Sequence, residues 1–367
     1  MPILPFKNTN NLVGDNSRLN NIFIDGIIYS IQRGGGISVY FSELIRFLNK
    51  NPKIELHLNM LQPIIGRCGI EDILETVSGN IENSRALERY RSCYLKKKPD
   101  VFHSSYYRLP SIKSTPTVVT VHDFIYERYI YGARRLVHTS QKNAAIRAAQ
   151  AIICVSESTK QDLLKFVGVR PDQSVYVIHN GVADLFKTLD VKPTTNPYIL
   201  FVGQRSGYKN FNVALSSMTH LPDFELYCVG GGAFSKNEMK GIDINVAKRV
   251  HHLGFVTDEE LNILYNRAVC LVYPSSYEGF GIPVIEAMRA GCPVVCVNCK
   301  AVLEVGGDAL TVVDEPDPRL MANAILNTST SDRATLIQRG LKVASGFSWE
   351  TTHNQTLEVY RSVGYRD

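Results

Sequence analysis

The stretch Cys270-Leu271-Val272-Tyr273-Pro274-Ser275-Ser276-Tyr277-Glu278-Gly279-Phe280-Gly281-Ile282-Pro283-Val284-Ile285-Glu286-Ala287-Met288 reads as strand, loop and helix in turn. Cys270–Tyr273 is a short continuous apolar run, as expected of a strand covered on both faces. Proline and glycine then break the pattern. Pro283 suits the first turn of a helix, where its missing N–H is no loss. Glu278 falls in the loop and Glu286 about one turn inside the helix. The glycines let the backbone N–H groups of Phe280, Gly281 and Ile282 face a ligand. Two carboxylates so placed can accept from two hydroxyl-bearing parts of one molecule, such as a hexose and a ribose. The plainer alternative is a capped surface helix with two solvated acids.

The same alternation of short apolar runs and helical patterns extends outward in both directions. Strands are expected at 21–28, 54–60, 101–104, 117–121, 151–155 and 175–178, and a second series at 198–202, 225–229, 252–255, 270–273, 293–297 and 310–313. Helical patterns such as 37–50, 134–149, 159–166, 258–266 and 283–290 lie between them. Repeated β-α units predict parallel sheets with right-handed crossovers, an α/β fold. The polar, proline-bearing stretch 181–196 separates the series. The expected organisation is an N-terminal Rossmann-like domain over 1–185, a C-terminal one over 186–347, and a final amphipathic helix in 348–367 that crosses back to the first.

Two further segments carry binding chemistry. Phe201-Val202-Gly203-Gln204-Arg205-Ser206-Gly207-Tyr208-Lys209-Asn210-Phe211 ends a strand in glycine and then offers two cations. Ligands of open α/β sheets bind beyond the carboxyl ends of strands, and a guanidinium fork with an ammonium there suits a diphosphate. Two solvated surface cations are the simpler reading. Nearer the N-terminus, Gln32-Arg33-Gly34-Gly35-Gly36 links the first strand to the first helix. Glycine lets backbone approach a phosphate, and a helix start favours negative charge. A plain flexible turn accounts for the residues equally well. Asn180-Gly181 reads as a hinge turn.

Composition narrows the class. The chain of 367 residues is 44% hydrophobic and 20% charged with a formal net charge of +5, ordinary globular material with no lysine- and arginine-rich arm for nucleic acid. Met1 to Asn11 shows no signal-peptide pattern, and no apolar run approaches a membrane span. The eight cysteines lack framework or zinc spacing and read as reduced core thiols of a cytoplasmic protein. Neither Asp-x-Asp nor H-E-x-x-H occurs, so no metal site is expected.

Glu278-G-F-G-I-P-V-I-Glu286 resembles the E-x7-E signature of family 4 of the retaining glycosyltransferases, which have the GT-B fold, two Rossmann-like domains facing across a cleft. Gly203, Arg205 and Lys209-Asn210 resemble that family's diphosphate segment, Gly34-Gly35-Gly36-Ile37 its glycine loop, and Val121-His122-Asp123 its active-site histidine strand end. Val155-Ser156-Glu157-Ser158 and Asn180-Gly181-Val182 fall in family order. The resemblance implies that Glu286 holds the ribose and that Arg205 and Lys209 bind the diphosphate. It further implies that Glu278 takes donor-sugar hydroxyls beside the Phe280, Gly281 and Ile282 amides. Gly35 and Gly36 would close over the phosphates beside Gly203, and His122 would reach the donor sugar. His122 with Asp123 also fits a structural pair. His103, Tyr106 and Tyr107 are expected on the acceptor side, since hydroxyls and aromatic rings suit sugars.

The implied reaction is metal-independent transfer of a hexose with retention. The mannosyltransferase branch resembles this chain most, which favours GDP-mannose as donor and UDP-glucose second. The acceptor would be a carbohydrate, a lipid-linked sugar or a glycoprotein glycan. The basic segment 85–98 reads as a solvated face or as peripheral membrane contact, and a homodimer is compatible. A sugar-nucleotide epimerase of the same fold and a non-catalytic sugar-nucleotide-binding protein are the alternatives.

Overall fold

A computed structural model describes residues 21–32, 34–61, 79–82, 87–191, 194–205, 207–330 and 333–364. The expectations placed on Met1 to Asn11, Arg33, Arg85 and Ser206 lie outside the described residues. The chain divides into two compact units, residues 1–180 with 349–367, and residues 181–348.

The first unit is built on a parallel sheet of seven strands: β1 (Asn21–Asp25), β2 (Glu55–Leu61), β3 (Gly79–Glu82), β4 (Val101–Ser104), β5 (Thr117–Val121), β6 (Ala151–Cys154) and β7 (Ser174–Val177). Their order is β3-β2-β1-β4-β5-β6-β7. β4, β5 and β6 are buried at every position, which is why they read as continuous apolar runs. The helix Gly36–Asn49 buries Tyr40, Phe41 and Leu44 in the same core as Ile22 and Ile24 of β1. The last helix, Trp349–Gly364, adds Trp349, Val359 and Tyr360 to that core.

The second unit carries β8 (Tyr198–Val202), β9 (Glu225–Val229), β10 (Val250–Gly254), β11 (Cys270–Tyr273), β12 (Val294–Val297) and β13 (Leu310–Val313), all parallel, in the order β10-β9-β8-β11-β12-β13. Each sheet therefore reverses its winding once, between β1 and β4 and between β8 and β11. Those two points are where open α/β sheets leave a crevice for ligands.

Three expectations need correction. The first strand ends at Asp25 rather than 28, because Gly26 turns the chain into a short 3-10 helix, Ile27–Ser30. A side chain at Gly26 would lie 2.9 Å from Met60 Cγ, so the turn presses directly on β2. The strand expected at 252–255 lies at Val250–Gly254, with a register shift after His252, and Phe255 is exposed beyond it. β3 was not anticipated, since Gly-Asn-Ile-Glu has neither the β-branched run nor the alternation that marks a strand.

The seven described cysteines are free and buried, as core thiols should be. Among the described residues no helix is long and apolar enough to cross a membrane.

Candidate active site

The crevice between β8 and β11 is walled by two loops that bind one another. After β8 the chain passes Gly203 (φ 129°) and Gly207 and enters the helix Phe211–Ser217 through Asn210, which sits in the left-handed region at φ 47°. Asparagine tolerates that conformation better than most residues. Its side-chain amide donates to the Pro274 carbonyl (2.9 Å) and to Ser276 Oγ (2.6 Å), while the Ser276 N–H donates to the Tyr208 carbonyl (2.9 Å). The loop after β8 and the loop bearing Glu278 are thus one hydrogen-bonded structure.

Lys209 and Glu278 meet there. Lys209 Nζ donates to Glu278 Oε1 at 2.7 Å, with the two side chains 13% and 11% exposed. Lys209 also lies 5.6 Å from the Tyr273 ring centroid. Gly203 stands at the base: a Cβ on it would lie 3.7 Å from Lys209 Nζ, at a φ that disfavours any side chain. Beyond the loop, the helix Ile282–Arg289 starts from Gly281 (φ 111°) with Pro283 in its first turn and no side chain capping it. Its N-terminus carries the partial positive charge of a helix start.

Arg205 is on the same edge but is turned into the protein. Its Nε donates to Glu238 at 2.6 Å, and its terminal nitrogens donate to the carbonyls of Gly230 (3.3 Å), Gly232 and Ala233 (3.2 Å). The guanidinium lies 4.8 Å from the Phe234 ring centroid. It thereby pins the loop after β9 to the loop after β8. Burial alone would raise the Glu238 carboxyl, but the Ser235 and Arg205 contacts together outweigh it and hold the group below its ordinary range.

Glu286 has another surrounding. Its Oε2 accepts from the Tyr265 hydroxyl at 3.1 Å. Burial pushes its carboxyl up to about 8, against the lowering effect of that hydrogen bond. Much of the population is therefore protonated near neutral pH, and the group can donate as well as accept. Tyr265 in turn titrates well above its ordinary value because of burial and the Glu286 carboxyl.

In the first unit, His122 follows β5. Burial lowers its pKa to about 3, so the ring is neutral, and its Nε2 has no hydrogen-bond partner. The ring packs edge-on against Tyr40, 5.2 Å between centroids. Asp123 accepts from the Ile125 N–H at 3.0 Å, opening the short helix Ile125–Tyr129. Gly35 and Gly36 are exposed at the start of the helix Gly36–Asn49.

His103 does not line an acceptor surface. It is fully buried, with Nδ1 2.6 Å from the Tyr360 hydroxyl and Nε2 3.0 Å from Thr120 Oγ1. β4 is a central strand, and the last helix covers the face on which His103 lies. The signal missed was that a residue inside a continuous apolar run belongs to the core. Tyr106 and Tyr107 follow it in the loop, Tyr106 with its hydroxyl 3.0 Å from His138 Nε2 and Tyr107 in the left-handed region at φ 59°.

Sequence reading also missed Glu238, Tyr265 and the pair Asp25–Arg108. Each partner lies between 21 and 83 residues away, and nothing local marks it. Arg108 Nη1 lies 3.4 Å from Asp25 Oδ1 and Nη2 3.1 Å from Glu88, and Ser104 Oγ donates to Asp25 Oδ2 at 3.1 Å. These groups fill the crevice between β1 and β4.

Residues 186–342 match the family model described as glycosyl transferases group 1, and residues 69–184 match the model described as glycosyltransferase family 4. Among curated relatives, the O-antigen chain mannosyltransferase B of Escherichia coli is 45% identical over 114 residues, 30% of each chain. The O-antigen chain mannosyltransferase RfbU of Salmonella typhimurium is 28% identical over 187 residues, 50% of this chain and 52% of its own. The matches to these two thus span between 30% and 52% of the relatives' own length. Among solved structures, sucrose-phosphate synthase from Thermosynechococcus elongatus superposes with a TM-score of 0.73 at 18% identity, covering 94% of this chain and 98% of its own. HepE of Anabaena in complex with UDP and glucose gives 0.72 at 16% identity, covering 94% and 100%. At these identities the likeness establishes the fold.

Proposed function

The chain belongs to glycosyltransferase family 4 and has the GT-B fold, and from that premise we propose that it transfers a hexose, with retention, from a nucleotide sugar to a glycan acceptor. The observation that carries the reading is the joined pair of loops at the β8–β11 reversal, where Lys209, Glu278 and an uncapped helix start converge. In the transfer, the bond between the anomeric carbon and the β-phosphate oxygen breaks and a bond to the acceptor oxygen forms. The acceptor's proton leaves with the departing phosphate. Negative charge grows on the diphosphate, and in this reading Lys209 with the helix N-terminus stabilises it, with no metal ion required. Glu278, released from Lys209 as the ammonium turns to phosphate, accepts hydroxyls of the donor sugar. Glu286 holds the ribose, and its raised pKa lets it donate to a ribose oxygen as well as accept. Arg205 acts mainly by fixing the Gly230–Ala233 backbone that borders the crevice.

The donor we assign is GDP-mannose, on the strength of the mannosyltransferase relatives, with UDP-glucose second. The acceptor we assign is a growing polysaccharide or a lipid-linked sugar, met at a membrane surface. The test is incubation of the purified chain with radiolabelled GDP-mannose and UDP-glucose, with and without candidate acceptors. Slow release of nucleoside diphosphate without acceptor, quickened by acceptor, supports the reading. A changed sugar on an intact nucleotide would overturn it in favour of an epimerase. Binding of donor with no turnover under any condition would leave a non-catalytic binder.

A further inference from the structure

Two adjoining hollows of about 690 and 440 Å³ open on the first unit, sharing Tyr90 and Val137. They lie where the loops after β4 and β5 meet the helix Ala133–Ala148. Their walls carry Arg89, Arg91, Arg108 and Arg134 and no acid. Arg108 is already neutralised by Asp25 and Glu88. Among the described residues no acid forms an ion pair with Arg89, Arg91 or Arg134; Arg89 and Arg134 line the smaller hollow, together with Tyr90, Tyr126 and His138, and Arg91 lines the larger. Two like charges lining one small hollow repel one another, and an anion bound there offsets that cost.

A second set of observations points to a ligand with a ring. The Arg89 guanidinium lies 5.0 Å from the Tyr90 ring centroid and 5.1 Å from that of Tyr106, and its Nε is buried without a hydrogen-bond partner. His138, only 6% exposed, stacks on Tyr126 with centroids 3.7 Å apart and planes 12° from parallel. Its Nε2 contacts the Tyr106 hydroxyl, while its Nδ1 is buried with no partner. Folded proteins rarely keep such orphaned polar atoms except where something else satisfies them.

We propose that the smaller hollow is the acceptor subsite and that it takes a phosphorylated saccharide. The arginines hold the phosphate, and the Tyr126–His138 stack with Tyr90 holds the sugar ring. The planar guanidinium fork matches phosphate oxygens in pairs, and aromatic faces match the C–H faces of a pyranose. The assignment of the ligand as acceptor rests on the transferase reading above; the binding itself does not.

The experiment is calorimetric titration of the full chain, without donor, using mannose 1-phosphate, methyl α-mannoside and inorganic phosphate. Mannose 1-phosphate binds at least tenfold tighter than either of the other two, and R89Q and R134Q each weaken it at least tenfold. Arg134 is exposed, so R134Q leaves packing intact, and an unchanged melting temperature verifies this. Equal binding of inorganic phosphate, unaltered binding in both variants, or no binding by the unaltered chain overturns the proposal. The same sugar phosphate carried on a lipid in micelles, run beside the soluble one, supports the subsite whichever binds tighter and identifies the source. Nucleoside diphosphate release from donor by the unaltered chain tests the transferase reading separately. If that release fails while mannose 1-phosphate still binds through Arg89 and Arg134, the hollow stands and the reading falls.

Discussion

The two sheets reverse their winding at equivalent places, and the chain treats those places in opposite ways. Between β1 and β4 the crevice is filled from within. Asp25 is fully buried, Arg108 closes over it, and Ser104 and Ser105 bond to it. Between β8 and β11 the crevice is edged by glycines and by a lysine–glutamate pair that keeps some contact with solvent. The topology alone thus offers two crevices, and the side chains plug one and leave the other edged by a partly exposed ion pair. Burial illustrates the difference: it raises the Asp25 carboxyl to about 6 despite the nearby guanidinium, because the contact is long and Arg108 is shared with Glu88.

The sharpest way to break this comparison is to remove one half of the plug. Arg108→Met leaves Asp25 buried without its partner, and we expect a loss of about 3–5 kcal/mol in unfolding free energy. Denaturant melts measure it. The double variant Asp25→Asn with Arg108→Met should recover a large part of that loss. A single variant as stable as the parent would mean that the β1–β4 crevice is not a plug at all.

The next effect in size belongs to the other crevice and should appear in rate rather than stability. Glu278→Gln and Lys209→Met each remove half of the pair that the ligand is proposed to take over. We expect kcat/KM for transfer to fall by about 10²–10³-fold, the scale of losing one preorganised charge contact, with melting changed little. Wild-type turnover in either variant would falsify the roles assigned to both. A smaller change follows from Arg205→Lys. The lysine can keep Glu238 but not the three carbonyls, so we expect about a tenfold loss in kcat/KM and faster hydrogen exchange at Gly230–Ala233. An unchanged exchange rate there would show that Arg205 does not pin that loop.

How much of this was legible beforehand follows from where the information sits. The strands β4, β5, β8, β9, β11 and β13 fall where the apolar runs place them, because buried parallel strands write themselves as continuous Val, Ile and Tyr. The loop from Pro274 to Gly281 and the helix after it were also legible, since proline and glycine act locally. What escaped was every pairing across the chain: Arg205 with Glu238, Glu286 with Tyr265, Asp25 with Arg108 and His103 with Tyr360. A charge seen in sequence looks available, and only the fold shows whether another side chain has already taken it. Arg205 is the case in point, read as a diphosphate ligand and found bonded to a carboxylate and three carbonyls.

The smallest predicted effect compares the two crevices by pH. Asp25 and Glu286 are both carboxyls raised by burial, from ordinary values of 3.8 to about 6 and 4.5 to about 8 respectively. For a raised acid the folded state keeps its proton after the unfolded state has lost it, so stability falls with rising pH between the two values and levels off above the upper one. Asp25 should therefore impose its loss between about pH 4 and 6, and Glu286 between about 4.5 and 8. Glu286→Gln, which can still accept from Tyr265, removes the second loss alone. Because Glu286 is partly exposed, the expected gain at pH 8.5 is reduced to about 1 kcal/mol, and it vanishes below pH 4.5. Urea melts of the parent and the variant across that range measure it. Parallel curves would mean that the carboxyl at the proposed ribose site titrates normally and meets the ligand as a plain anion.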